Sequence, residues 1–367
     1  MKKSIILSVF FITFSLFLLM LAKENGKKET TSDIIKREAR AVAKSLTSKP
    51  SFFKEPHVAS GGKDKKINIW NIKTLKQERT LEDTGVVRSV AFNFDNSKIA
   101  SAGDDKKVKI WNLKNKKERQ KPIATLDGHT DGHTEKINSV AFDHNILASG
   151  SSDKTVKLWD MQDIKKIKLI KTLTGHTGPV TSVTISDGKL LASGSEDKTI
   201  NIWDIKDAKK DKPIKTLSGH NDTINSVAFN DDGTLLASGS SDETVKLWDM
   251  QDIKKIKLIK TLTEHTDKIN CVTFSEDGTL LASGSSDKTI IIWTKEKKDW
   301  KQKTTIKCKD IIYAIAFSPD NTQIFSGVEH DGENKVHIWD IKTGKKTTKG
   351  FEGKGHNGTI YAIAISK

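Results

Sequence analysis

Apolar and polar positions divide the chain into three zones. Residues 4–22 run for nineteen positions without a charge behind Met1-Lys2-Lys3, and 23–28 is strongly polar again. An apolar run of this length predicts a helix, and at 1.5 Å rise per residue it reaches roughly 28 Å, just enough for one membrane crossing. In residues 24–55, Thr31-Ser32-Asp33 predicts a helix cap and Ile34, Ile35, Ala39, Val42 and Leu46 a weak apolar face. Thr47-Ser48-Lys49-Pro50-Ser51 then predicts a break. From about His57 the pattern changes to short runs with period-two alternation, such as 199–203, bounded by tight turns such as Ser195-Glu196-Asp197-Lys198. That alternation predicts short β-strands. The predicted division is 1–22 as a signal peptide or signal anchor, 23–56 as a polar spacer, partly helical, and 57–367 as one folded domain.

The third zone is periodic. Tryptophans fall at 70, 111, 159, 203, 248, 293 and 339, and only Trp300 is off period. Around each periodic Trp the same train recurs: a short strand (190–194), a tight turn, a Trp-bearing strand (199–203), a lysine-rich loop, a third strand (214–217), then Gly-His and a fourth strand (224–229). Four short antiparallel strands per unit predict a propeller blade, because so small a sheet buries both faces only when neighbours stack around an axis. The domain begins inside one unit, at Val58-Ala59-Ser60, and ends inside another, at 355–365. If the last strand takes the innermost place in the blade of Trp70, all seven blades have four strands and the ring closes.

The train Gly-His, then Leu-Ala-Ser-Gly-Ser-x-Asp-x-Thr-Val-x-Leu-Trp-Asp, resembles the WD40 repeat family over residues 57–367. The resemblance implies an all-β, seven-bladed WD40-type β-propeller, closed by the C-terminal strand joining the N-terminal blade, here preceded by an N-terminal hydrophobic helix. It implies a rigid platform for partner proteins, with no intrinsic catalysis in most members, and no cofactor is expected. It also implies a buried His, Ser, Asp and Trp hydrogen-bonded across each blade. The matching sets are His133, Ser149, Asp153 and Trp159; His176, Ser193, Asp197 and Trp203; His220, Ser238, Asp242 and Trp248; and His265, Ser283, Asp287 and Trp293. A fifth, His356 with Ser60, Asp64 and Trp70, exists only if the chain ends meet. In the blade of Trp111 the His position carries Asp83, beside Ser101 and Asp105. In that of Trp339 it carries Cys308, Ser326 is kept, and Asp331 or Glu333 must stand in for the Asp. These two blades are expected to be the softer ones.

Ser, His and Asp recurring together invite a hydrolytic reading. Five equivalent copies argue against it, since an active site is unique whereas a fold-building network recurs with every repeat. One His per blade is too dispersed for a metal cluster, and the Ser-Gly-Ser-Ser-Asp turns lack the ending of a phosphate loop. Two cysteines, Cys271 and Cys308, make neither a disulfide scaffold nor a four-cysteine metal site, and both are expected to be buried thiols.

Charge adds a second question. Lys and Arg total 62 against 47 Asp and Glu, for a net charge of +15. Arginine occurs only at 37, 40, 79, 88 and 119, which disfavours sequence-specific nucleic-acid reading, since it is the guanidinium fork that reads guanine edges. Lysines concentrate in the loops leaving the Trp strands, at 114–121, 165–171, 206–215, 254–260, 295–303 and 342–349, which propeller geometry places on one rim. Part of this is copied: 147–177 and 236–266 are the same 31-residue string except at Lys154/Glu243 and Gly175/Glu264. Likewise 128–131 reads as a four-residue insertion, which leaves His129 spare beside the in-register His133. The opposite face carries the residues before each buried Asp, namely Lys63, Asp104, Ser152, Glu196, Ser241 and Ser286, and these are the candidate protein-binding residues.

The leading expectation is therefore a non-enzymatic, monomeric scaffold for one or more proteins or peptides. The alternative is binding of a polyanion or anionic surface through the lysine rim. A basic start, an apolar core and small Ala22 fit a cleaved export signal; the length of the run and Met20 fit a retained anchor. Either route places the propeller outside the cytoplasm, secreted or periplasmic in the first case and membrane-associated through 4–22 in the second.

Overall fold

The computed structural model describes residues 52–366 apart from 115–120, 128–130, 187, 208–210, 297–298 and 329–334. The predicted N-terminal helix, the spare His129 and the stand-in candidates Asp331 and Glu333 lie outside the described residues. Among the described residues no helix is long and apolar enough to cross a membrane. The folded unit runs from Ser51 to Lys367. Phe52 and Phe53, which the sequence reading leaves in the spacer, pack against a core cluster built on Ile67, Val87 and Ile99.

The strands form seven antiparallel sheets. We number the blades 1 to 7 by their tryptophans, from Trp70 to Trp339. In blade 4 the chain runs through Val180–Ser186, Leu190–Ser195, Ile200–Asp204 and Lys215–Leu217, from innermost strand to outermost. Blade 1 is built from both chain ends: Ile360–Ile365 is its inner strand and pairs with His57–Gly62, in the register Val58↔Ile365 and Ala59↔Ala364. Ser366 and His57 reinforce the junction through Ser366 N to His57 O (2.9 Å) and His57 N to Ser366 Oγ (2.7 Å).

One expectation fails. Blade 7 has three strands among the described residues, Ile312–Phe317, Gln323–Val328 and His337–Asp340, rather than four. Its outermost strand shrinks to a single bridge between Trp339 and Lys346. The chain then leaves blade 7 for blade 1, where Glu352 bridges Lys76 in parallel and exchanges backbone bonds with Leu75 and Gln77. Phe351 is wedged between Trp70 and Phe325, at centroid distances of 5.2 and 5.8 Å. The ring is thus fastened at the inner strand and again at the rim.

Close packing between blades explains the repeated Leu-Ala-Ser-Gly-Ser. A Cβ on Gly194 would meet Ile224 Cγ2 of the next blade at 2.7 Å, and one on Gly239 would meet Ile269 Cγ2 at 2.6 Å. Such an approach admits no side chain without movement, and overpacking a core costs about 1–3 kcal/mol. Trp300, the off-period tryptophan, is buried on the outer strand Asp299–Lys307 and meets Phe274 edge to face at 5.9 Å.

Candidate functional site

Each blade begins with a local problem, an indole N–H and a carboxylate held away from water. In blade 3 Trp159 Nε1 donates to Ser149 Oγ (3.0 Å), Ser149 Oγ meets His133 Nε2 (2.8 Å), and His133 Nδ1 meets Asp153 Oδ2 (2.7 Å). The ionised carboxylate can only accept, so Nδ1–H donates to Asp153, and on the neutral ring Nε2 is then left to accept the Ser149 hydroxyl proton. The same chain of bonds joins Trp203, Ser193, His176 and Asp197; Trp248, Ser238, His220 and Asp242; and Trp293, Ser283, His265 and Asp287. Across the chain ends it joins Trp70, Ser60, His356 and Asp64.

The carboxylates also anchor the turn. Asp153 Oδ1 accepts from Thr155 N (3.0 Å) and its Oδ2 from Thr134 N (3.1 Å). Burial alone would raise the Asp153 pKa, but the hydrogen bonds from His133 and Thr155 and the field of the imidazole outweigh it and hold the carboxyl below its ordinary range. Asp64, Asp197, Asp242 and Asp287 are held down by the same balance. The residue after each Asp is left-handed, as at Lys154 (φ 70°), Lys198 (φ 68°) and Glu243 (φ 67°). Chemically these sets are spent on structure: Ser60, Ser149, Ser193, Ser238 and Ser283 have no exposed surface, so no substrate carbonyl can reach their hydroxyls.

Blade 2 solves the same problem differently. Trp111 Nε1 donates to Ser101 Oγ (2.9 Å), and Ser101 Oγ donates to Asp83 (2.6 Å), which stands where His stands elsewhere. Lys109, on the Trp strand, lies between Asp83 and Asp105, donates to both, and reaches Thr84 Oγ1 at 2.7 Å. The sequence reading missed Lys109 because the same register position also holds Lys157 and Lys246, which bond Thr172 and Thr261 Oγ1 instead, and Asn or Ile in other blades, so the residue type alone does not mark it out. In blade 7 Trp339 Nε1 still donates to Ser326 Oγ (2.8 Å), whereas the Cys308 thiol turns to Ile306 O (3.9 Å). Burial pushes both thiols up to about 12, Cys308 being raised further by nearby Asp287 and Asp310. Neither is a thiolate near neutral pH.

Departures from this repetition collect at one place, the mouth of the channel on the face of the Asp-bearing turns. In blades 3, 5 and 6 the second residue of the inner strand is Asn, and it latches one blade to the next. Asn138 Nδ2 donates to Ser152 Oγ (3.0 Å) and Val180 O (2.8 Å), Asn225 to Ser241 Oγ and Ile269 O, and Asn270 to Ser286 Oγ and Ile312 O. Thr181 does the same work in blade 4, bonding Gly194 O and Ile224 O. One layer deeper, Ser89, Ser139, Ser182 and Ser226 Oγ each accept from a backbone amide of the following blade, and the series stops at Cys271, Ala314 and Ala362.

In blades 7, 1 and 2 the latch position instead holds Tyr313, Tyr361 and Arg88. The two rings meet edge to face at 5.4 Å, and the Arg88 guanidinium lies over the Tyr361 ring at 5.6 Å while pairing with Asp104. These are the only tyrosines in the chain. Of the candidate binding residues, Lys63, Asp104 and Glu196 are exposed, with Asp104 committed to Arg88. Ser152, Ser241 and the buried Ser286 are committed to the asparagine latches. Sequence reading did not single out Tyr313, Tyr361 or Arg88; their signal was that they break a recurrent Asn or Thr.

Fold and site together define a ring of repeated, internally satisfied blades with one irregular sector at its mouth. The chain belongs to the WD40 family. The family model, described as WD domain, G-beta repeat, matches residues 75–112, 120–160, 167–204, 211–249, 256–294 and 300–340. Each match ends one residue after a periodic Trp, and the unit of Trp70, split between the two chain ends, lies outside the six. A search of curated proteins gave no match. Among the described residues no three His, Cys, Asp or Glu side chains are grouped to hold a metal ion.

Proposed function

We propose that the protein is a non-enzymatic interaction scaffold, exported through residues 4–22, that receives a protein or peptide partner at the irregular sector of the channel mouth. WD40 propellers typically serve as non-catalytic platforms for other proteins, which supports the reading. The observation that carries it is the Arg88–Tyr361–Tyr313 cluster. Four blades close the mouth with polar latches that leave little to bind, while the adjoining three offer two aromatic faces and a guanidinium beside exposed Lys63 and Asp104. Tyr and Arg anchor interfaces because they add large contact area and directional polar groups at little entropic cost. A rigid ring adds that no backbone rearrangement is needed.

Affinity capture from the native envelope, run with wild type and with the Arg88→Glu/Tyr313→Ala/Tyr361→Ala variant, tests this. The expected result is a partner lost from the variant at an unchanged melting temperature and retained by a Glu196→Lys control across the mouth. Identical capture by wild type and the triple variant would overturn the sector as the site. Fractionation with intact-mass measurement tests the export route.

A further inference from the structure

The face opposite the mouth has a composition and a chain entry point that belong together. In six blades the residue leaving the Trp strand bonds back to the turn after the inner strand: Leu113 N to Ser97 O, Met161 N to Asn145 O, Ile205 N to Lys189 O, Met250 N to Thr234 O, Lys295 N to Thr279 O and Ile341 N to Thr322 O. These bonds fix the lysine-rich loops and the inner turns on one face. In blade 1 the equivalent bond is Ile72 N to Pro56 O, and Phe52 N bonds Asp95 O, so the chain enters the propeller on that same face.

The lysines there are spread around the whole rim rather than gathered in a pocket. Lys121, Lys165, Lys206, Lys254, Lys301 and Lys342 are exposed in blades 2 to 7, and the pairs Lys165-Lys166 and Lys254-Lys255 make no ion pair with any described residue. Carboxylates share this face, in the inner turns at Asp95, Asp143, Asp232, Asp277 and Asp320 and in the rim loops at Asp163, Asp252 and Asp299, where Lys260 pairs with Asp299 and Lys301 with Glu296, but lysines outnumber them in the loops 165–171 and 254–260. A peptide or a compact anion meets one loop at a time. Only a broad anionic surface meets a ring of lysines together, and exposed lysines near such a surface add their attractions.

We propose that this lysine-rich face docks on an anionic lipid bilayer, which leaves the Tyr313–Tyr361–Arg88 sector pointing away from it. The inference deepens the export reading and rests on residues 4–22 as the membrane-directed segment. The apolar run precedes the propeller by about thirty residues, so a chain held by it keeps this face at high effective concentration beside the membrane.

The test uses the full chain in phosphatidylcholine discs with and without phosphatidylglycerol, with lysine acylation read by mass spectrometry. In anionic discs, labelling of Lys165, Lys166, Lys254 and Lys255 is expected to fall several-fold, and labelling of Lys154, Lys198 and Lys288 on the opposite face to stay unchanged. High salt should restore the lost labelling. Changing the four lysines to Glu should abolish protection of the other rim lysines while leaving tryptophan fluorescence as in wild type. Equal labelling in both disc types, protection of the opposite face, or protection by duplex DNA but not by anionic lipid would each overturn the proposal. Resistance of disc-bound chain to alkaline wash reads the anchor separately, so loss of the anchor and failure of the face to dock are distinguishable.

Discussion

At the residue scale, this fold rests on polar groups that are costly to bury singly and cheap once joined. A buried indole N–H, hydroxyl, imidazole and carboxylate each lose water, and the four-member chain returns a partner to every one. The chemistry makes pH a probe. Asp64, Asp153, Asp197, Asp242 and Asp287 have folded pKa values below the ordinary 3.8, so the stability they contribute is complete above 3.8 and is lost as pH falls through the folded values. Burial lowers His265 below its ordinary 6.5 against the opposing pull of Asp287. Below 6.5 the unfolded chain therefore takes up a proton that folded His265 resists, and stability again falls with acid. Calorimetry from pH 8 to pH 3 is expected to show a melting temperature that begins to drop below about 6.5 and drops most steeply below about 3.8. A melting temperature that rose on acidification would contradict this assignment.

At the element scale, the blades show which parts of the network are replaceable. Blade 2, expected to be soft for want of a His, has Lys109 as a cation between Asp83 and Asp105, so each of the two carboxylates has a cationic partner. Removing one member of a buried ion set leaves the rest uncompensated, at a cost of about 3–5 kcal/mol. Lys109→Met should lower the unfolding free energy by that amount, read as a lower denaturation midpoint at an unchanged slope, and adding Asp83→His, which restores the arrangement of the other blades, should recover much of it. An unchanged midpoint for Lys109→Met would show that solvent already screens the set. The four tetrads carried on one stretch of chain could be read from spacing because every repeat states them again. Lys109 could not, because Lys157 and Lys246 stand at the same register without this role, which appears only when Asp83 and Asp105 are brought to either side of it.

For the whole molecule the decisive event is closure. The inner strand Ile360–Ile365 belongs to a blade whose other three strands lie some three hundred residues earlier, and Ile360 also fills the space beside Gly327 of blade 7. Deleting residues 358–367 removes an entire inner strand and exposes an edge inside the ring. The expected loss is on the order of the ~5–15 kcal/mol that holds a domain together, seen as a broadened, much lower melt. An unaltered melt would mean that the ring does not depend on this strand.

Period, Trp spacing and split terminal units determined from the sequence alone that the chain forms seven blades and closes end to end, because each is a repeated local pattern whose only stable packing is a ring. Tertiary structure alone decided what happens where the repetition fails. It set Phe351 between Trp70 and Phe325, moved the outer edge of blade 7 onto blade 1, and gathered Arg88, Tyr361 and Tyr313, from inner strands far apart in the chain, at one mouth. The physical reason is that repeats encode how a blade satisfies itself, whereas these contacts arise between blades, and which residues meet there is fixed only when the ring is shut.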